Sequence, residues 1–314
     1  MVEGVRKKIE MKLLELEGVV GVSHENPKEK IILYVESQKD VRRMPRVLAG
    51  IPVETVVIGK VRALPLINAK LSTQKKVRPL VGGVSIGPPL EVAGTLGIII
   101  DGKIYTNAHV IALDFKNLEW YPKGTEVYQP SWLDGGTKDD VVGHLEEHTP
   151  IQFNEPVYNI ADVAVAEPTV DFEEWKVIEL GTVRGISTPK KGMKVRKVGR
   201  TTGVTESQIF DTKATIKVDY GPFGFAIFKD CVIAKPAFAK GGDSGSPVLC
   251  SNGNNLVGLV FAGSEYVTII NSMHSVFSAF KEKPELMVVP IMILGGIFTT
   301  GFIAGYFTEK FTGW

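Results

Sequence analysis

Apolar and polar positions change their rhythm along the chain, and the changes divide it. Residues 2–17 put Val5, Ile9, Leu13 and Leu16 at helical spacing with Lys and Glu between them, which predicts a one-faced amphipathic helix ended by Gly18. Val19 to Val22, Ile31 to Val35 and Val53 to Ile58 predict three short strands, and His24-Glu25-Asn26-Pro27 a solvated turn. Together they predict a small α/β module over residues 1–64. Residues 65–80 carry Pro65, Pro79, the pair Lys75-Lys76 and Arg78, and read as a linker lying along the larger region C-terminal to it.

From Val81 short apolar runs alternate with Gly, Pro, Asn and Asp, a spacing that predicts many short strands in a barrel or sandwich. The first set is 84–86, 93–100, 103–106, 126–129, 141–145 and 163–166. The second is 194–198, 209–218, 224–233, 246–250, 256–262 and 266–270. Met273, Val276, Phe277 and Phe280 then form one helical stripe that leaves His274 facing solvent. Residues 287–307 carry no charge, and about 20 apolar residues span a bilayer as a helix. A membrane anchor is expected there, with Tyr306, Phe307 and Trp314 at the interface and Gly301-x-x-x-Gly305 as a seam for a homo-oligomer. A buried helix or an oligomer seam in a soluble assembly is the alternative.

Composition narrows the classes. The net charge is +1 and no long basic run occurs, so a nucleic-acid partner is not expected. Cys231 and Cys250 are read as two buried thiols in preference to one bridge. The N-terminus carries charges every few residues and no apolar core of signal-peptide length. The chain is therefore expected to begin in the cytoplasm, with 287–307 as a C-terminal anchor and the folded domain facing the cytoplasm.

The candidate chemistry centres on Gly241-Gly242-Asp243-Ser244-Gly245-Ser246-Pro247-Val248. Ser244 is the candidate nucleophile, and the backbone N–H groups of Gly242 and Ser244 the candidate oxyanion hole. Asp243 is placed to anchor the loop from inside. A hydroxyl near neutral pH needs a histidine base oriented by a third group. Thr106-Asn107-Ala108-His109-Val110 ends an apolar strand and begins a short helical turn with His109. Ala161-Asp162-Val163-Ala164-Val165-Ala166 places one acid at the head of an apolar run, where burial requires a partner such as a histidine N–H. Asp114 and Asp171 are weaker acids because neither heads an apolar strand. Asp139, Asp140, His144 and His148 suggest a metal cluster less well than a solvated loop, so no metal and no cofactor are expected. Gly199 to Gly203 lacks the spacing and lysine of a phosphate loop and reads as a turn, with Arg200 structural.

The order His109, Asp162, Ser244 is that of chymotrypsin-like proteases. TNAHV at 106–110, ADVAVA at 161–166 and GGDSGSPV at 241–248 resemble that family's three motifs. Arg78-Pro79 and the stretches 82–87, 93–97, 198–203 and 260–264 resemble a prokaryotic branch of trypsin-like serine proteases, over roughly residues 15–280. The resemblance implies a mainly β fold of two six-stranded barrels over 81–280, after the small module and before the hydrophobic helix. The site would lie between the barrels and act on a protein or peptide substrate. It also implies a specificity pocket with Phe238 at its floor and Phe261, Ala262 and Gly263 in its walls. Without an acid there, small or apolar side chains are expected. The alternative is a catalytically silent scaffold of the same fold that binds peptides.

Overall fold

A computed structural model describes residues 10–23, 30–48, 50–63, 71–89, 92–281 and 285–286, and the chain there is mainly β with few helices. In its second half strand pairing runs round a closed circuit. Lys194–Gly199, Pro247–Cys250, Leu256–Gly263, Thr268–Ser272, Phe225–Lys235 and Gly203–Asp219 each pair with the next, and Gly203–Asp219 returns to Lys194–Gly199. Leu256–Gly263 lies between two strands and is buried at every position, which explains its unbroken apolar run. Val195, Ile209, Val232, Val248, Val260 and Ile270 pack inside this circuit.

The first half does not close in the same way. Glu126–Tyr128, Val141–His148, Ala164–Pro168, Lys103–Thr106 and Ile98–Ile100 form a five-stranded sheet, while Ser85–Ile86 pairs separately with Gly94–Thr95. The expected pair of six-stranded barrels is thus seen as one closed circuit beside an open sheet. Ser85–Ile86 reaches that sheet only through a single bridge, Gly87 with Tyr128, and the ladder stops there because Pro88 and Pro89 lack the N–H it needs. Leu80–Gly82 pairs instead in parallel with Phe172–Val177.

The N-terminal strands continue the main sheet. Val19–Ser23 pairs antiparallel with Gly203–Asp219, matching Gly21 to Ile216 and Ser23 to Ala214. Ile31–Val35 follows it, and Ile51–Val57 runs parallel to Ile31–Val35. Tyr34 donates to Asp211 across this junction, and both residues are buried. Helical residues end at Leu14, so Leu13 and Leu14 are buried while Leu16, beyond the last turn, is 41% exposed. Leu16 therefore leaves the predicted stripe because the helix stops before reaching it. At the other end, Ser272 caps the helix Met273–Ser278 by accepting from the Ser275 N–H. Its Met273 and Val276 are buried, Phe277 meets Tyr105 edge-on at 5.7 Å, and His274 is exposed.

Cys231 is buried and Cys250 half-buried, and both are free thiols. The predicted turn at His24, the linker residues 64–70 and the span 287–307 lie outside the described residues. Among the described residues no helix is long and apolar enough to cross a membrane.

Candidate active site

His109 is carried as expected. The strand Lys103–Thr106 ends at Asn107, which precedes the one-turn helix Ala108–Ile111, and every residue of that turn is buried. Asp162 lies just before the strand Ala164–Pro168 and is fully buried. Its Oδ2 is 2.5 Å from His109 Nδ1, and its Oδ1 accepts from the His109 backbone N–H at 3.1 Å. One carboxylate thereby fixes both the imidazole and its backbone.

Three residues with no assigned role in the sequence complete this half. Tyr220 Oη donates to Asp162 Oδ2 at 2.7 Å. Asn107 Nδ2 donates to the Asp162 carbonyl at 2.8 Å, and Asn271 Oδ1 accepts from the Asp162 N–H at 2.9 Å. Burial, with the nearby Asp162 charge adding to it, pushes the Tyr220 hydroxyl well above the ordinary tyrosine range, so Tyr220 stays a donor. Asn107 sits inside the histidine motif and was findable there. Tyr220 and Asn271 reach Asp162 only through the folded sheet, and no local pattern marks them.

The serine loop is built around a second buried carboxylate. Asp243 accepts from the backbone N–H groups of Thr201, Thr202 and Lys240 at 2.9, 3.1 and 2.9 Å, and from Thr202 Oγ1 at 2.6 Å. Lys197 Nζ lies 3.3 Å from Asp243 Oδ2, with both side chains fully buried. Lys197 also donates to Thr202 Oγ1 and, at 3.0 Å, to the Gly203 carbonyl. Desolvation pulls the Lys197 ammonium below its ordinary value, and the Asp243 charge only partly offsets this. The turn 199–203 is thus a cradle for Asp243. Arg200 is structural, making a two-pronged pair with Asp134 at 2.7 Å on each prong.

Two glycines in this loop are dictated by space and backbone. Gly242 has φ +93°, and a Cβ there would stand 2.3 Å from Thr201 Oγ1. Gly245 has φ +91°, and a Cβ there would stand 2.0 Å from the Thr95 carbonyl oxygen. Thr95 ties the loop to the first half: its N–H donates to the Ser244 carbonyl at 2.8 Å and its hydroxyl to the Gly242 carbonyl at 2.9 Å. Among the described residues the N–H groups of Gly242 and Ser244 donate to no protein acceptor.

His109 and Ser244 line one cleft of about 340 Å³, whose walls include Val92, Ala93, Phe115 and Pro222. His109 Nε2 and Ser244 Oγ are both buried, and neither makes a hydrogen bond among the described residues. Phe238, Phe261, Ala262 and Gly263 do not line this cleft. Phe238 packs among Val195, Ile209 and Val232, with its N–H on Thr268 Oγ1 at 3.0 Å. Phe261 is fully buried against Phe228 at 5.0 Å. Ala262 and Gly263 pair with Ala63 and Arg62.

The other candidates are accounted for by structure. Asp140 pairs with Lys76 at 2.6 Å, His148 stacks on Trp120 at 4.3 Å, and no group of metal-ligating side chains occurs among the described residues. Asp114 is occupied by its own turn, accepting from the N–H groups of Lys116 and Asn117, and Asp171 is exposed.

No protein-family model and no curated protein sequence matches the chain. Among solved structures it is similar to the chymotrypsin of Cellulomonas bogoriensis, at 18% identity and TM-score 0.46, covering 64% of this chain and 95% of that one. It is similar to protease A of Thermobifida fusca, at 18% identity and TM-score 0.45, covering 65% and 97%. It is also similar to the Nocardiopsis protease, at 19% identity and TM-score 0.46, covering 64% and 96%.

Proposed function

We propose that the chain is a serine endopeptidase, with Ser244 as nucleophile, His109 as general base and Asp162 as its orienting partner. The observation that carries this reading is the cleft lined by both His109, held by Asp162, and Ser244, whose His109 Nε2 and Ser244 Oγ have no partner among the described residues. Ser244 Oγ attacks the substrate carbonyl as His109 Nε2 takes its proton. Asp162, with Tyr220 donating to it, holds the tautomer and stabilises the imidazolium. The N–H groups of Gly242 and Ser244 bind the oxyanion, each such donor contributing roughly 3 kcal/mol to the transition state. His109 then protonates the leaving amine, and water releases the acyl group from Ser244.

The apolar walls Val92, Ala93, Phe115 and Pro222 suit small or apolar side chains. We further propose that residues 81–280 form the catalytic domain on two barrels, with 1–64 preceding it as a module. Residues 287–307 are proposed as a membrane anchor, with the catalytic domain on the cytoplasmic side. This rests on the charge-free run alone.

A second reading, a silent peptide-binding scaffold, draws on one observation: the His109–Ser244 hydrogen bond is not made. Such bonds commonly tighten only when substrate binds. A fluorophosphonate probe decides between the two. The enzyme reading expects labelling of the full chain that is lost in both Ser244→Ala and His109→Ala. Absence of labelling in the full chain would favour the scaffold.

A further inference from the structure

The edge of Leu256–Gly263 that faces the serine loop is shared by two segments. At Val260 it is held by that loop: the Gly245 N–H donates to the Val260 carbonyl at 2.8 Å, and the Val260 N–H to the Ser246 carbonyl at 3.0 Å. Immediately beyond, Ala262 pairs with Ala63 and Gly263 with Arg62, antiparallel. The opposite edge of Ala262 and Gly263 is taken by Ile269 and Thr268, so Arg62–Ala63 must lie on the loop's side. Ala63 is also part of the wall of the cleft that holds His109 and Ser244. The chain's own N-terminal region therefore lies, as an added strand, against the backbone next to the candidate nucleophile.

This segment is strapped down along its length. Ile58 and Val61 are buried in the core. The Ile58 N–H donates to the Val35 carbonyl at 2.9 Å, Ser264 Oγ donates to the Ile58 carbonyl, and the Asp219 N–H donates to the Val61 carbonyl at 3.0 Å. Lys60 pairs with Asp219 at 2.7 Å. The strands Val19–Ser23, Ile31–Val35 and Ile51–Val57 anchor the strap by continuing the sheet.

We infer that residues 58–63 are a built-in, substrate-like inhibitor, which occupies the backbone edge at Ala262–Gly263 that an extended polypeptide substrate would use. Adding a strand to an exposed edge gives a peptide its main-chain hydrogen bonds, so a strand already in place excludes it. The inference rests on the reading of Ser244 as nucleophile. It gives residues 1–63 a function, that of holding the protein latent toward extended chains while leaving the cleft of about 340 Å³ that Ser244 lines for small reagents.

Two readouts on the full chain test it: labelling by a small fluorophosphonate, and hydrolysis of an apolar tetrapeptide anilide. They are compared between the unmodified chain, Lys60→Ala, and Arg62→Pro, whose proline removes the strap N–H that faces Gly263. The expected result is labelling of all three chains at similar rates. Tetrapeptide KM should fall about tenfold in Arg62→Pro and about threefold in Lys60→Ala with kcat unchanged, because the strap reduces the competent fraction. Equal labelling with equal tetrapeptide kinetics in all three would overturn the strap and leave the protease reading intact. No labelling of any chain would remove both. Should Arg62→Pro fail to fold, Lys60→Ala alone carries the test, and an unchanged KM overturns the inference.

Discussion

Asp162 and Asp243 are both fully buried carboxylates, and each organises one half of the site. Their partners differ in kind. Asp162 faces the imidazole of a residue that lines the cleft, with Tyr220 and the His109 N–H completing its set. Asp243 faces a buried ammonium and donors from one turn and one loop, none of which lines the cleft. A buried charge needs a partner in either case. At Asp162 the partner is the proposed base, whereas at Asp243 it is a buried ammonium away from the cleft. Substitutions should therefore separate chemistry from architecture.

The largest effect is expected at Asp162→Asn, which keeps the shape but holds the wrong imidazole tautomer. Activity toward a small ester should drop about 10⁴-fold, with the thermal midpoint little changed. A fall below tenfold would mean that Asp162 does not orient the base. Asp243→Ala should instead lower stability by about 3–5 kcal/mol, because it strands the Lys197 charge in the interior. Urea unfolding reads this directly. A variant as stable as the parent would show that Lys197 finds another partner.

Tyr220→Phe removes one donor to Asp162 while the His109 bond remains. Roughly tenfold in kcat is expected, from one lost hydrogen bond to a charged group, with stability nearly unchanged. No change in kcat would assign Tyr220 to packing alone, a role it also has through its edge contact with His109 at 5.9 Å.

The contrast also explains what the sequence disclosed. The three candidate side chains were legible because a nucleophile, a base and an acid each require a residue type in a tell-tale setting: glycines about Ser244, a strand end before His109, an apolar run after Asp162. Their supports were not legible. Lys197 reads as one more charged residue in an alternating strand, and only the closed circuit brings it to Asp243. Tyr220 looks like a strand-end aromatic. Phe238 is suggested by its distance from the serine, but the loop after Lys235, held by Thr268 and Thr205, turns it into the core beside Val195. The Arg62–Ala63 pairing is carried by backbone, which leaves no trace in side-chain pattern.

The smallest effect at neutral pH, and the sharpest discrimination between the two carboxylates, is expected from Lys197→Arg. Lys197 is held below the ordinary lysine value of 10.5 by desolvation, so it loses its charge at lower pH than a solvated lysine. Activity should fall as pH rises through that lowered value, because neutral Lys197 leaves Asp243 unpaired and the serine loop unsupported. The stability contribution of Lys197 itself has the opposite sign. Between its lowered folded value and its unfolded one, the unfolded chain binds more protons, so this group's contribution rises with pH. Arginine keeps its charge throughout. Lys197→Arg should therefore retain activity at neutral pH within about threefold, since only the shape of the cation changes, and should move the alkaline limb upward. A limb unmoved by Lys197→Arg would assign the alkaline loss to another group and leave Asp243 held by its N–H and hydroxyl donors alone.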